Sequence, residues 1–257
     1  MNKNERHQLL LDKLALYGKI NVAQIAKEHQ VTPETIRRDL DELEKNEQLT
    51  RIHGGAIPFI RRQKEMAYEK KLALYYEEKR SIAAEAAKYI QDDDTIAVDV
   101  GTTTVHIADF LENVHNLTVV TNSLSAVHRF NLAIEEKRMT GQVIMLPGIT
   151  NPEQASVSGT YTIELLKKFN FNRAFISCGG VTNEAIYDFD IDESLISEVM
   201  IQHSKEAYLL TDHSKLGKTS FFHICPLLLL TTIICNQEQP RDWHLLNGEW
   251  VIAKQEA

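Results

Sequence analysis

The chain has 257 residues, of which 43% are hydrophobic and 25% are charged, and its net charge is −8. This composition excludes disordered, collagenous and coiled-coil proteins, and the length suffices for one large domain or two smaller ones. The first residues are polar, so we expect no signal peptide. The longest apolar run, residues 226–235, is shorter than the ~20 residues of a membrane span and predicts a buried strand. We therefore expect a cytoplasmic protein with no membrane partner.

Charge is unevenly distributed along the chain. Residues 1–62 contain 11 basic and 9 acidic residues, a net charge of +2, whereas the remainder contains 17 basic and 27 acidic residues, a net charge of −10. The overall acidity argues against a nucleic-acid partner, but it belongs to the second part of the chain. Residues 58–71 are charged and lack an apolar period. The predicted organisation is an N-terminal domain over 1–57, a linker over 58–76 and a second domain over 77–257.

The N-terminal domain has the pattern of a winged helix-turn-helix, with the helix-turn-helix itself over about residues 20–39. Its third helix is expected to begin after Thr32, a good N-cap, with Pro33 at the first helical position. The wing is expected to turn at Gly54-Gly55. The predicted elements are helices over about 4–17 and 22–29, a helix from 33 onward, and a β-wing over 49–57.

The third helix is the candidate recognition helix, which would enter the major groove with its N-terminal end first. The acidic run 39–44 lies mainly in its later half, where it can stay out of the groove. A surface helical hairpin with solvated arginines is the alternative, but the ordered set of cap, outward-facing Thr and Arg, and Gly-Gly wing favours DNA binding. The candidate base-edge contacts are Thr32, Thr35 and Arg38, and the candidate phosphate contacts are Arg37, Arg51 and His53.

The second domain alternates strands and helices, which predicts an α/β fold with a doubly wound, mostly parallel sheet. The predicted strands cover about 95–100, 117–121, 143–146, 174–178, 207–211 and 227–235, and the predicted helices cover 77–90, a segment after 104, a segment after 123, 158–169 and 190–204.

Polar loops follow three of these strands, at the edge where ligands of such sheets bind. Each loop offers hydroxyls or backbone N–H groups, and one adds the cation Lys215, so together they favour an anion site over simple helix caps. The candidate effector-binding residues are Asp99, Gly101, Thr102, Thr103, Thr104, Thr121, Asn122, Ser123, Gly180, Asp212 and Lys215.

Five strings of the chain are distinctive: Thr35-Ile36-Arg37-Arg38-Asp39-Leu40, His53-Gly54-Gly55-Ala56, Asp99-x-Gly101-Thr102-Thr103-Thr104, Val119-Val120-Thr121-Asn122-Ser123 and Asp212-x-Ser214-Lys215-x-Gly217. They resemble those of the DeoR family of bacterial transcriptional regulators, over nearly the whole chain. The resemblance implies a sensor domain similar in fold to ribose-5-phosphate isomerase, a phosphorylated sugar as effector, double-stranded operator DNA as partner, and a homodimer or homotetramer. It also implies a repressor of carbohydrate use.

The chain departs from the family pattern at three places that shape the sugar end of the site. An Arg is missing after Pro147-Gly148, a Lys-Arg pair is replaced by Ile196-Ser197, and a Gly-Leu-Thr string is replaced around Tyr187-Asp188-Phe189. The residues of the phosphate end are kept.

A sugar-phosphate isomerase or deaminase is the alternative function, since it would use the same fold and anion site. It would need a positioned acid/base pair, and the loop 179–184 offers a single carboxylate, Glu184. The three cysteines have no CxxC spacing and the ten histidines form no HxH or HExxH pattern, which disfavours a metal- or redox-sensing repressor. We expect no catalytic residue, metal or cofactor.

Overall fold

The computed structural model describes residues 3–17, 20–29, 31–46, 48–52, 54–58, 65–243 and 248–254. The chain divides into two compact units, Met1–Gln63 and Lys64–Ala257. In the described ranges, no helix is long and apolar enough to cross a membrane.

The first unit has the element order of a winged helix-turn-helix. Thr32 caps α3, because its hydroxyl accepts a hydrogen bond from the N–H of Thr35 at 3.2 Å, and Pro33 occupies the first turn. Strands β2 and β3 form the antiparallel wing, and β1 pairs with β3. The elements are α1 (Lys3–Tyr17), β1 (Ile20–Asn21), α2 (Val22–Glu28), α3 (Pro33–Lys45), β2 (Leu49–Ile52) and β3 (Gly55–Pro58).

The core of the first unit lies between the three helices and the wing. Leu10 and Leu14 of α1 are buried one helical turn apart, as the apolar spacing predicts. They pack in one cluster with Ile36, Leu40 and Leu43, which form the inward stripe of α3. This stripe leaves the opposite face of α3 toward solvent.

The second unit is built on a seven-stranded sheet in which all six strand pairs are parallel, in the order β15-β14-β12-β9-β4-β5-β6. Its strands are β4 (Thr95–Val98), β5 (Val114–Thr121), β6 (Met139–Met145), β9 (Phe171–Ile176), β12 (Ser204–Thr211), β14 (Thr232–Cys235) and β15 (Glu249–Ile252). The remaining elements are α4 (Tyr68–Ala73), α5 (Tyr76–Ala87), α6 (Leu124–Glu135), β7 (Ile149–Asn151), β8 (Ser156–Ser158), α7 (Thr160–Leu166), β10 (Gly180–Val181), β11 (Ala185–Asp188), α8 (Ile191–Gln202) and β13 (Phe222–Pro226), with short 3-10 helices over Thr104–Phe110, His213–Lys215 and Leu227–Leu229.

Helices cover both faces of this sheet. Successive side chains of a strand point to opposite faces, so Ile96 and Val98 pack in one core cluster and Ala97 in another. The first cluster includes residues of α5 and α6, and the second includes residues of α7 and α8. The predicted doubly wound, parallel α/β fold is confirmed.

The sequence predicts one strand over the apolar run 226–235, and this prediction is wrong. The run spans the end of one strand and a second strand, which lie in different sheets. Strand β13 ends at Pro226 and pairs antiparallel with β11 in a small sheet, whereas β14 is parallel within the main sheet. A 3-10 turn joins them, and it leaves Leu228 and Leu229 about half exposed, at 50% and 47%. Hydrophobicity alone does not reveal the turn, because its residues Leu227–Leu229 are as apolar as the buried strand β14 that follows them.

Two further segments differ from the sequence prediction. The helix after Gly101 is a 3-10 helix, with the N–H of His106 bonded to the carbonyl of Thr103. The predicted linker 58–76 contains α4, and Tyr68 of that helix is only 3% exposed. One buried tyrosine and backbone hydrogen bonds attach this segment to the second unit, so its sequence shows no apolar period.

Candidate functional site

The outward face of α3 carries the side chains that the sequence selects for DNA contact. Arg38 is exposed and forms no ion pair with any other described residue. Thr32 and Thr35 lie within hydrogen-bond distance of each other, 2.9 Å between their hydroxyl oxygens, at the exposed N-terminal end. Arg37 is 54% exposed and bonds Glu34 at 3.3 Å. These four residues remain candidates for DNA contact, with Arg38 the least engaged within the protein.

Asp39, which follows Arg38, turns inward rather than joining the solvent-facing acidic run. Its carboxylate is 5% exposed and accepts hydrogen bonds from Arg6 Nε at 2.7 Å and Arg6 Nη2 at 3.0 Å. His7 Nε2 lies 3.3 Å from the same carboxylate, and the hydrogen bond to Asp39 raises the pKa of Arg6. This pair ties α3 to α1 and fixes the rotation of the recognition helix. The sequence signal for this pair is that Asp39 has the helical spacing of the buried apolar residues within 36–43.

The wing arginine is engaged within the protein. The guanidinium of Arg51 contacts the carboxylate of Asp41 on α3, and its backbone N–H donates to Glu44 Oε1 at 2.7 Å. Contact with a DNA phosphate would require Arg51 to exchange Asp41 for that phosphate. His53 lies outside the described residues.

At the carboxyl ends of the strands, Asp99 is a buried structural group. Its carboxylate, 2% exposed, accepts hydrogen bonds from the N–H of Val100 and from the Ser197 hydroxyl, each at 2.8 Å. Burial raises its pKa well above the ordinary value, although the Ser197 hydrogen bond opposes that rise. The hydrogen bond from Ser197 to Asp99 therefore joins α8 to the end of β4. Ser197 lies at one of the three places where the chain departs from the family pattern.

The loop after β4 presents hydroxyls above this buried layer. A Cβ on Gly101 would lie 2.5 Å from Ser177 Oγ, so only glycine fits there. Thr104 is fully buried and donates to the carbonyl of Asp99 at 2.8 Å. The hydroxyls of Thr102 and Thr103 bond no other residue in the described part of the chain, and both residues are less than 10% exposed, at 9% and 5%.

The loop after β5 contains an unpaired buried amide. Thr121 and Ser123 use their hydroxyls locally, to accept the N–H groups of Ser123 at 3.0 Å and Ala126 at 3.1 Å. Asn122 Oδ1 accepts the N–H of Val100 at 3.0 Å, which fixes the orientation of the amide. Its Nδ2 is buried and has no partner among the described residues. An unpaired buried donor costs about 1–3 kcal/mol, so this amide is available to an acceptor from outside the described residues.

A third group of residues, near the loop after β12, contains two lysines and an aspartate. Asp212 caps the 3-10 helix of this loop, because its Oδ1 accepts a hydrogen bond from the N–H of Ser214 at 2.8 Å. Lys215 Nζ lies 6.0 Å from the ring centre of Phe189. Lys79, which the sequence analysis missed, is 4% exposed, and burial lowers its pKa to about 8. The charge of Asp212 opposes this shift and the charge of Lys215 reinforces it, so the three groups share one neighbourhood. Lys79 precedes Ile82 and Ala83 by three and four residues, which places it on the buried face of α5. This spacing is the sequence signal that Lys79 is buried.

Two carboxylates that the sequence analysis did not select lie beside Asp99. Glu193 accepts a hydrogen bond from Ser156 Oγ at 2.5 Å, and burial raises its pKa to about 7. Burial raises the pKa of Asp188 to about 6, and its charge also raises the pKa of Asp99. Gly180, in contrast, serves packing, because a Cβ there would lie 2.4 Å from the carbonyl of Lys218. The strand ends therefore combine cations with carboxyl groups that can accept or share hydrogen bonds.

Comparison with known proteins assigns both units. Residues 6–59 match the DeoR-like helix-turn-helix domain, and residues 75–237 match the DeoR C-terminal sensor domain. An HTH-type transcriptional regulator of Staphylococcus epidermidis is 44% identical over 83% of this chain and 84% of its own length. A lactose phosphotransferase system repressor of the same species is 34% identical over 91% of this chain and 92% of its own length.

Among solved structures, ribose 5-phosphate isomerase A from Neisseria gonorrhoeae aligns over 59% of this chain and 56% of its own, with 13% identity and a TM-score of 0.39, which carries no argument about function. The sequence matches are to a DNA-binding domain, a sensor domain and proteins named regulators and repressors, so the protein is a regulator and not a sugar-phosphate enzyme. The chain belongs to the DeoR family of transcriptional regulators.

Proposed function

We propose that this protein represses a carbohydrate-utilisation operon in the cytoplasm, and that a phosphorylated sugar bound at the strand ends of the second unit changes its affinity for operator DNA. The observation that carries the effector assignment is the buried, unpaired Asn122 Nδ2, at the loop that follows β5. A phosphate oxygen is the kind of acceptor that this donor lacks.

The charges of the site support the phosphate end. Lys79 is buried and its ammonium donates a hydrogen bond to a backbone carbonyl, and no carboxylate of the described residues forms an ion pair with it. Lys215 lies in the same neighbourhood, and the hydroxyls of Thr102 and Thr103 have no partner among the described residues. A phosphate would receive two cations and several neutral donors there, which is a recurrent way of binding that group.

The carboxyl groups support the sugar end. Asp188 and Glu193 can accept hydrogen bonds from sugar hydroxyls, and Glu193, with a pKa of about 7, can also donate one when protonated. The relatives named lactose phosphotransferase system repressors agree with an effector that combines a sugar with a phosphate. Which sugar fits depends on these carboxyl groups, since they stand at or beside the departures from the family pattern.

The DNA-binding half acts as a homodimer or a homotetramer in this proposal. The first 62 residues carry 11 basic and 9 acidic residues, so a single unit has little electrostatic attraction for DNA. Two linked units reading two half-sites gain affinity through their effective concentration. Thr32, Thr35 and Arg38 read base edges, while Arg37, Arg51 and His53 contact phosphates.

A thermal-shift screen tests the effector assignment. Pentose and hexose phosphates are compared with the same sugars lacking phosphate, because a ligand that binds only the folded state raises the unfolding temperature. At least one phosphorylated sugar is expected to raise the unfolding temperature of the second unit. The same sugar is expected to release operator DNA, which is the commoner response in such regulators.

The variant Lys215→Ala/Thr103→Ala should lose this stabilisation and still bind operator DNA. Lys218→Ala, which removes an exposed lysine three residues away, serves as the matched control and should respond like the wild type. A normal ligand response by the double variant would place the anion site elsewhere.

A further inference from the structure

The segment that joins the two units in sequence is attached to the second unit next to the candidate anion site. We refer to residues 65–76 as the strap. The N–H of Tyr68 donates to the carbonyl of Glu153 at 2.9 Å, and Gln154 Nε2 donates to the carbonyl of Met66 at 3.4 Å. The Tyr68 side chain is almost fully buried. Along the chain, the strap follows directly after the DNA-binding unit, which ends at Gln63.

The strap brings a lysine to the charged groups of the site. The carbonyl of Lys71 accepts a hydrogen bond from Lys79 Nζ, and the Lys71 ammonium contacts the carboxylate of Glu65, also on the strap. The strap is therefore bonded to α5 through a cation that the proposed function places at the phosphate.

Lys71 and Lys215 act on the same neighbours. Both lower the pKa of Lys79 and both lower the pKa of Asp188. Tyr75 of the strap also packs edge-on against His213, with ring centres 4.9 Å apart, so the strap lies beside the loop that carries Lys215. Lys71 thus belongs to the charge neighbourhood of the candidate site, although it lies within the segment that the sequence predicts to be a linker.

We propose that Lys71 is a further anion-binding residue, and that a phosphate held by Lys71, Lys79 and Lys215 fastens the strap to the second unit. This inference rests on the proposed function and adds a route by which the DNA-binding unit senses the effector. Without the anion, Lys71 pairs with Glu65 of the same strap, and this pair does not hold the strap to the second unit, while Lys79 and Lys215 repel each other. With the anion, Lys71 exchanges Glu65 for the phosphate, and charge-assisted hydrogen bonds to the same phosphate join the strap to Lys79 and Lys215.

The regulatory consequence follows from linkage. A ligand shifts an equilibrium only by its differential affinity for two states, and a ligand held partly by the strap binds the attached state better. Attachment of residues 65–76 restrains the part of the chain that follows the DNA-binding unit in sequence.

Hydrogen–deuterium exchange of the full chain tests the inference, with inorganic phosphate as the probe and chloride at matched ionic strength as the reference. In the wild type, phosphate is expected to slow exchange several-fold in the loops 101–104 and 121–123 and also in the strap. In Lys71→Met, phosphate should still protect the loops, with an affinity about tenfold lower, while the strap exchanges at the rate seen in chloride. Lys70→Met, the adjacent exposed lysine of the strap, should behave like the wild type.

The outcomes separate the two proposals. Protection of the loops without protection of the strap in the wild type overturns the role of the strap and leaves the anion site standing. Equal protection of the strap in the wild type and in Lys71→Met also overturns it. Absence of phosphate protection in the loops of the wild type removes the anion site, and the inference fails with it. Thermal unfolding of Lys71→Met and of the charge-preserving Lys71→Arg shows that both variants fold, and Lys71→Arg should restore protection of the strap.

Discussion

The two units of this regulator place their functional side chains differently. In the DNA-binding unit, Arg37 and Arg38 are exposed, and one buried pair, Arg6 with Asp39, holds their helix. In the sensor unit, most candidate side chains are buried beneath the strand ends, as Asp99 and Asn122 illustrate. A surface that reads a large polyanion must be available from outside, whereas a site for a small ligand gains selectivity by enclosing it. Function and stability should therefore separate more cleanly in the first unit than in the second.

The largest expected effect concerns the buried ion pair between Arg6 and Asp39 in the first unit. Asp39→Ala removes the carboxylate that accepts two hydrogen bonds from the Arg6 guanidinium, which is 15% exposed, and this loss should destabilise that unit by about 3–5 kcal/mol. Circular dichroism follows both units, whereas the fluorescence of Trp243 and Trp250, the two tryptophans of the chain, follows the second unit alone. The variant should show an early circular-dichroism transition with an unchanged fluorescence transition.

Asp41→Ala is the matched control for that experiment. It removes a neighbouring carboxylate that is 46% exposed and paired with Arg51, so its effect should stay within about 1 kcal/mol. If Asp39→Ala is no more disruptive than Asp41→Ala, the buried pair does not hold the recognition helix.

The next effect concerns the unpaired amide of the sensor unit. Asn122→Asp keeps the oxygen that accepts the Val100 N–H and replaces the unpaired donor with a second, negatively charged oxygen. Affinity for the phosphorylated sugar found in the screen should fall about 10–100-fold, because a charge-assisted hydrogen bond is lost and repulsion is added. Isothermal titration calorimetry measures this, and operator binding without ligand should be unchanged. A ligand affinity equal to that of the wild type would show that Asn122 does not face the phosphate.

A smaller effect is expected from the exposed arginines of α3. Arg38→Ala should weaken specific operator binding by about 1–3 kcal/mol and reduce discrimination against random DNA. Arg37→Ala should weaken binding to both DNAs alike and lower the slope of its salt dependence by about one. Neither variant should change the thermal stability of the first unit, since both side chains are exposed. Fluorescence anisotropy at several salt concentrations distinguishes the two roles, and equal discrimination in Arg38→Ala and the wild type would exclude base reading by Arg38.

The sequence predicts the first unit better than the second for a physical reason. The N-cap at Thr32, the inward stripe of α3 and the turn of the wing depend on neighbours a few residues away, which local patterns report. The sheet type of the second unit is also visible in the sequence, because alternation of helices and strands favours a parallel sheet.

The candidate anion site depends instead on residues that are distant in sequence. Lys79 and Lys215 are 136 positions apart, and each is an ordinary charged residue in its own segment. The strap is hidden in the same way, since its attachment uses hydrogen bonds of its backbone groups and a buried tyrosine, which leave no apolar period in the sequence. Buried polar groups at the end of a sheet become a site only when the fold brings them together.

The smallest effect tests whether stability and site chemistry are coupled in the sensor unit. Glu193 has a pKa of about 7 against an ordinary value of 4.5, because burial disfavours its charged form. Folding therefore favours the protonated carboxyl, so this contribution to stability is complete below about pH 4.5 and is lost as the pH rises through about 7.

Between pH 5.5 and 8, the wild type should accordingly lose about 1–2 kcal/mol more of its free energy of unfolding than Glu193→Gln, which cannot ionise at that position. Urea unfolding followed by tryptophan fluorescence measures the difference in the second unit. Glu164→Gln, at a position 61% exposed, should follow the wild type at both pH values. Parallel pH profiles for the wild type and Glu193→Gln would mean that Glu193 ionises freely, and the enclosed sensor site would then resemble the exposed DNA-binding surface more closely than its burial indicates.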